Sequence, residues 1–302
     1  MTTFEARLAS HAATTDAFLG RVLDDRVDDA GVPERLRQAM RHAVMAGGKR
    51  FRPFLVIEVS SLFGVSTRQA TATAGALECL HCYSLVHDDL PAMDNDRLRR
   101  GQPTVWAAFD DWTAILAGDA LLTLSFEILS RSETHANPTV RNELVSALAI
   151  AGGPVGMVGG QALDLSSDKL GDPANPTLDY VRRLQAMKTG ALIRFACEAG
   201  ALLGQASDQE RLALKSYGAH LGVVFQIADD LLDATGDAAT VGKATGKDAA
   251  AGKATQVSLL GVEAAKDYLA TMVQAALDDL APFGERGAIL AQAVHFAAQR
   301  AK

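Results

Sequence analysis

A chain of 302 residues, 48% hydrophobic and 22% charged, has an ordinary globular composition with material for a large core. Its net charge of −7 and pI near 5.5 lack the basic footprint of a nucleic-acid binder, and three cysteines, Cys79, Cys82 and Cys197, are too few and too oddly numbered for a disulfide framework. The opening MTTFEARLAS has no apolar signal region and no run approaches the ~18 to 20 apolar residues of a membrane span, so a cytoplasmic protein without a membrane span is expected.

Strand-like alternation is almost absent, whereas apolar residues recur three and four apart in long segments. That pattern predicts an all-α helical bundle. No Pro/Ser-rich linker and no repeat of 20 to 50 residues divides it, so one domain over 1–302 is expected. The first predicted helix runs from Pro33, a favoured first-turn residue, to Ala46 and stops at Gly47-Gly48. The basic knot GGKRFR at 47–52 follows. It is not a GxxxxGK[ST] phosphate loop, because Ala43 stands where the first glycine belongs and Arg50 where the hydroxyl does.

A helix from Arg52-Pro53 to Phe63 closes at Gly64, and the next runs from Thr67 to His87. Its end, CLHCYSLVHDDLPAMDND at 79–96, is crowded with possible ligands. Cys79 and Cys82 have only Cys197 elsewhere, which leaves structural zinc without its second pair. A calcium loop begun at Asp94-Asn95-Asp96 fails at Leu98 and Arg99, where an acid and a glycine are required. The aspartates remain. Asp88, Asp89 and Asp94 form D-D-x-x-x-x-D; six residues separate Asp88 from Asp94, about 240° on an unbroken helix, and Pro91 between them predicts the break that could bring them together. Arg97, Arg99 and Arg100 follow at once.

The segment from Trp112 to Ser130 is apolar almost all round and is predicted to be a buried central helix. Helices are also predicted over Thr139–Ile150 and Val155–Leu165, with the glycines of GGPVGMVGG at 152–160 read as close helix packing, since no strand precedes them for a dinucleotide site. Gln161 and Asp164, three apart, can face one cavity. Residues 166–176 read as a surface loop, then Thr177–Leu203 and Ser207–Asp233 as helices. The latter ends in a second motif, D-D-x-x-D, at Asp229, Asp230 and Asp233. Asp229 and Asp233 lie about 40° apart and share a face, with Asp230 about 100° aside. Residues 234–254 carry Lys243, Lys247 and Lys253 and read either as a linker or as a lid that closes over an anion. Thr255–Leu280 and a last helix complete the chain.

Carboxylates that end apolar segments repel one another unless a cation neutralises them. Hard oxygen ligands point to Mg²⁺, which takes one or two carboxylates and bridges to substrate phosphates, and the neighbouring Arg and Lys suit a diphosphate.

In GGKRFRP, LVHDDLPAMDNDRLRRGQPT, AGDALL, GMVGGQALDL, MKTG and FQIADDLLD, taken in order over nearly the whole chain, the sequence resembles the all-trans isoprenyl diphosphate synthases of the polyprenyl synthetase family, on the side of the bacterial farnesyl diphosphate synthases. The resemblance implies a homodimeric helical bundle in which two aspartate motifs face each other across a cavity. It implies isopentenyl diphosphate and allylic diphosphates as substrates, and Mg²⁺, three ions per site, as cofactor. By the same route Gly48, Lys49, Arg52, His81 and Arg100 would hold isopentenyl diphosphate, and Arg99 the allylic diphosphate. Asp88, Asp94 and Asp229 would lead the metal ligands, supported by Asp89, Asp230 and Asp233. Lys188, Thr189, Gln226 and Lys243 would stand by the allylic diphosphate and the developing cation, with Lys253 on a closing loop. Tyr83, five residues before Asp88, resembles the floor that halts growth at fifteen carbons; a smaller residue there would suggest twenty, and Ser84 lies one turn below Asp88. Tyr83 also reads as a plain core aromatic. A terpene cyclase would need a different second motif, and a non-catalytic partner subunit would be expected to have lost one.

Overall fold

The computed structural model describes residues 3–24, 31–235 and 254–299. Lys243, Lys247 and Lys253 lie outside the described residues. The chain divides into two compact units, Met1–Ser146 with Leu202–Gln205, and Ala147–Ala201 with Ala206–Lys302.

The first unit holds α1 (Phe4–Asp24), α2 (Glu34–Met45), α3 (Phe51–Ser61), α4 (Thr67–Asp88), the two-residue strands β1 (Leu98–Arg99) and β2 (Gln102–Pro103), α5 (Val105–Ala108) and α6 (Asp111–Ser130). α7 (Pro138–Gly152) begins in it. α4 is its axis, packed on α1, α2, α3 and α6. Ser66 starts α4 with a reciprocal cap: its hydroxyl accepts from the Gln69 amide and Gln69 Oε1 accepts from the Ser66 amide. The helix stops at Asp88, just ahead of Leu90-Pro91, because the residue before a proline disfavours helical backbone.

The second unit holds α8 (Met157–Leu170), α9 (Leu178–Gln185), a π-helical turn (Ala186–Gly190), α10 (Ala191–Leu203), α11 (Asp208–Thr235), α12 (Gln256–Leu260), α13 (Val262–Asp278), a 3₁₀ turn (Ala281–Gly287) and α14 (Ala288–Ala298). α11 is its axis. It packs on α12, α13, α14 and the π turn, and α8 covers the π turn from another side. A Cβ on Gly160 would stand 2.6 Å from Lys188 Cα, and one on Gly222 3.0 Å from Gly190 Cα. Gly160, among the glycines read as packing sites, and Gly222, which was not, let three backbones meet there.

Several sequence expectations are corrected. α1 was not foreseen, although its buried residues Phe4, His11, Thr15, Leu19 and Leu23 recur at helical spacing. Helix α8 continues to Leu170, five residues into the expected loop, because Gly171 in the left-handed region (φ 63°) is the true stop. The stretch expected as one helix over 177–203 is interrupted by the π turn, and that over 255–280 is broken at Gly261 (φ 82°). A short hairpin turns through Arg100 and Gly101, both at positive φ, where nothing β was expected. α6 is not buried all round: Trp112, Ile115 and Leu116 are exposed. Two stretches, Asp111–Ser130 and Pro138–Leu170, do reach the length and hydropathy of a membrane span. α6 buries half of its span as a core helix does, and the second stretch is broken between α7 and α8.

The first unit is pinned by a buried arginine. Arg50, the N-cap of α3, has φ 49° and is 3% exposed. Its Nε donates to Asp16 Oδ1 (2.7 Å), Nη1 to Glu78 Oε1 (2.7 Å) and Nη2 to the Val44 carbonyl (2.5 Å). Burial works against that charge, but Glu78 and Asp16 hold the guanidinium well above its usual value. Burial and Glu78 also push the neighbouring Cys82 thiol up to about 12, which makes it inert. Glu78→Ala is expected to lower unfolding free energy by about 3–5 kcal/mol, because it leaves the buried Arg50 without its buried partner. A urea midpoint equal to wild type would show that the pair is not what holds α3 to α4.

Candidate active site

Around the first aspartate motif the helix end and the following loop close on themselves. The Asp94 amide donates to the Asp88 carbonyl (2.8 Å) and the Asn95 amide to that of Leu90 (3.0 Å), with Asn95 in the left-handed region (φ 56°). The chain beyond Pro91 therefore returns Asp94 to the end of α4. Asp88 is half-buried there and Asp94 exposed. Asp89 differs from both. It is 3% exposed, and Arg99 grips it, Nη2 to Oδ1 at 2.6 Å and Nε to both oxygens at 2.9 and 3.0 Å. Burial raises the Asp89 carboxyl and the Arg99 fork opposes it. For Asp89 to touch a metal or Arg99 a diphosphate, this pair has to open or be shared.

The basic knot sorts into three roles. Lys49 is exposed, Arg50 is the buried anchor, and Arg52 Nη1 lies 3.4 Å from His81 Nε2. Arg100, at the tip of the hairpin, hydrogen-bonds the Gly47 carbonyl through Nη1 and lies across Gly48, where a Cβ would come 2.8 Å from its Cζ. Gly48, Lys49, Arg52, His81 and Arg100 thus belong to one neighbourhood. A guanidinium can only donate, so His81 Nε2 is the acceptor and its ring is neutral. Burial, then Arg52, Arg100, Arg99 and Arg50, hold the imidazole well below its usual value. Tyr83, 6% exposed, meets His87 edge-on at 5.5 Å, and His87 Nε2 donates to the Ile115 carbonyl of α6 (3.0 Å). Ser84 spends its hydroxyl on the His81 carbonyl (2.8 Å).

The second motif lines a cavity of about 280 Å³ in the second unit, walled by α8, α9, the π turn and α11. Asp229 is exposed on it, and Asp233 is half-buried one turn on, outside the lining. Asp230 is 4% exposed and accepts from Gln185 Nε2 (Oδ2, 2.8 Å) and Gln226 Nε2 (Oδ1, 2.9 Å). Because Gln226 gives its amide nitrogen to Asp230, its carbonyl oxygen is the end left for an electron-poor centre. Lys188 and Thr189 line the same cavity, carried by the π turn, a form common at functional sites. Lys188 Nζ pairs with Asp164 Oδ2 (2.6 Å), so Asp164 faces this cavity while Gln161 is not part of its wall. Sequence reasoning missed Gln185, which has no motif around it, and Tyr180, whose hydroxyl ties α9 to the Leu163 carbonyl (2.7 Å). Among the described residues no three His, Cys, Asp or Glu side chains converge as a ready-made metal cage.

The sequence profile described as Polyprenyl synthetase matches residues 33–282, through both aspartate motifs. The chain belongs to the polyprenyl synthetase family. It is 46% identical over 253 residues to the farnesyl diphosphate synthase of Escherichia coli, covering 82% of this chain and 83% of that one. Geranylgeranyl pyrophosphate synthase 4 of Arabidopsis thaliana is 38% identical over 280 residues, 93% of this chain and 73% of the other. The solved structure of an FPP/GFPP synthase from Zymomonas mobilis superposes with a TM-score of 0.86 at 43% identity, over 97% of this chain and 98% of the other. This polyprenyl synthetase is accordingly an all-α prenyltransferase; its relatives carry names that differ in product length.

The His81 environment has a pH consequence. Unfolding returns the imidazole to its usual value near 6.5, so below that pH the unfolded chain binds a proton that the native state refuses. Stability from this source is full above about 6.5 and is lost as pH falls toward the depressed native value. The melting temperature of His81→Gln is expected to fall less than that of wild type between about pH 7 and 5; parallel slopes would contradict a neutral His81.

Proposed function

We propose that the chain is a Mg²⁺-dependent (2E,6E)-farnesyl diphosphate synthase that joins isopentenyl diphosphate to dimethylallyl and then geranyl diphosphate. The observation that carries the fifteen-carbon reading is Tyr83. It is buried, lies five residues below Asp88 on α4, and is braced by His87, whose ring is in turn held by α6. That is a rigid floor rather than a swinging side chain. A second reading, a longer product, has support in the names of the Arabidopsis and Zymomonas relatives.

The donor set fits the metal. Asp88, Asp94 and Asp229 offer oxygens at accessible positions, and Mg²⁺ ordinarily takes only one or two protein carboxylates, its other positions filled by water and substrate phosphate. When bound, Mg²⁺ neutralises the leaving diphosphate and eases ionisation of the allylic C–O bond. Lys188 adds positive charge at the departing oxygens, and the Gln226 carbonyl and Thr189 hydroxyl face the carbocation with fixed dipoles. Lys49, Arg52 and Arg100, with neutral His81 as a hydrogen-bonding neighbour, hold the diphosphate of isopentenyl diphosphate. Its double bond attacks the carbocation, and the proton lost from the new adduct goes to the released diphosphate. A second copy of the chain is the partner inferred for the exposed apolar face Trp112, Ile115 and Leu116 of α6.

The full chain incubated with isopentenyl diphosphate, dimethylallyl diphosphate and Mg²⁺ is expected to release a fifteen-carbon product, and Tyr83→Ala a longer one; no elongation from any allylic starter would overturn the enzyme reading. An unchanged product from Tyr83→Ala would return Tyr83 to the plain core. Leu116→Asp is expected to sediment as a monomer where the parent sediments as a dimer, and a parent that is already monomeric would remove the inferred partner.

A further inference from the structure

Behind the wall shared by Gln185 and Gln226 lies a second cavity, of about 210 Å³, reaching to Arg182, Arg194, Gln256 and Tyr268. Its floor is small and apolar, from residues such as Gly190 and Gly222, and no carboxylate lines it among the described residues. Two buried polar atoms in its wall have no hydrogen-bond partner, Arg182 Nε and Gln256 Oε1. Gln256 is 2% exposed, and buried polar atoms are ordinarily satisfied.

The polarity of these two atoms is fixed by their neighbours. Asp230 only accepts, so Gln185 turns its Nε2 to it (2.8 Å). Gln185 Oε1 must then accept, and it does so from Gln256 Nε2 (2.7 Å). That leaves Gln256 Oε1 as an acceptor in need of a donor. Arg182 Nε is a donor in need of an acceptor, on a guanidinium seated 4.7 Å over the Tyr268 ring. An occupant therefore has to offer an acceptor to Arg182 and a hydrogen to Gln256, and beside two guanidinium groups with no carboxylate in the lining an anionic acceptor is favoured.

We propose that this cavity binds a partly protonated phosphate, as the free ion or a small ester. Its charged oxygens accept from Arg182 and Arg194 while its P–OH donates to Gln256 Oε1. With a second ionisation near pH 6, phosphate retains that proton in part at neutral pH. Sulfate and simple carboxylates do not, and would set lone pairs against Gln256 Oε1. The volume is below the ~300 Å³ at which ligand pockets usually start, which suits an ion or a small ester. The inference stands apart from the prenyl-transfer reading, since neither allylic substrate nor metal enters it.

Isothermal titration of the full chain, in EDTA at matched ionic strength and about pH 7, tests it with inorganic phosphate, methyl phosphate and sulfate. Phosphate is expected to bind one site about tenfold more tightly than sulfate, Arg182→Gln to weaken both by about tenfold or more, and Gln256→Leu to erase the preference. Arg194→Gln provides a second charge variant should Arg182→Gln not fold. Equal binding of methyl phosphate assigns the site to esters, and binding of inorganic phosphate only assigns it to the free ion. No phosphate binding, equal affinity for sulfate, or an isotherm abolished by Lys49→Ala or Lys188→Ala but untouched by these variants would overturn it.

Discussion

The first unit depends on one buried charge. A guanidinium out of water is stable only when carboxylates and carbonyls take its protons, and Arg50 finds three such partners on three different segments: Asp16 in α1, Val44 in α2 and Glu78 in α4. Arg50 meets all three from left-handed backbone, an uncommon state for a residue with a side chain. Once Arg50 points inward, Lys49 is left at the surface and Arg52 comes to rest beside His81. The placing of the neighbouring basic side chains is thus a by-product of a structural ion pair.

The second unit uses neutral groups for the same purpose. Gln256, Gln185, Asp230 and Gln226 form a chain of amides running into one buried carboxylate. Each orientation dictates the next, because a carboxylate can only accept. The chain lies between two cavities and decides which end of each amide faces which. It commits the Gln226 amide nitrogen to Asp230, which frees its carbonyl oxygen for another partner, and it leaves Gln256 Oε1 without a donor. The π turn that carries Lys188 and Thr189 starts directly after Gln185, so both side chains follow a residue held by two side-chain hydrogen bonds.

The aspartate motifs show how far spacing carries. Pro91 foretold that α4 breaks before Asp94, and the single helix α11 keeps Asp229 and Asp233 on the face that helical geometry assigns them. Spacing set Asp230 about 100° aside from Asp229 but did not say which of the two is buried, and it did not distinguish Asp88 from Asp89. In both motifs the second aspartate is the buried one, taken up by Arg99 in one and by two glutamines in the other. Adjacent residues on a helix differ by about 100°, enough to send one outward and one into the packing, but which goes inward depends on what waits there.

Helical periodicity determined the all-α class, and the motifs determined the chemistry, since carboxylates beside arginines in a fixed order need no tertiary structure to be read. The π turn escaped because its cause is not local: backbones meet at Gly160, Gly190 and Gly222. The stop of α8 at Gly171 is a local signal that the loop reading of 166–176 passed over. Which arginine of GGKRFR is buried was decided by Glu78, 28 residues away, and the orientation of Gln185 by partners 45 and 71 residues away. Sequence lists the donors and acceptors; folding decides which of them satisfy one another, because a buried polar group is set by the nearest complementary group in space and not along the chain.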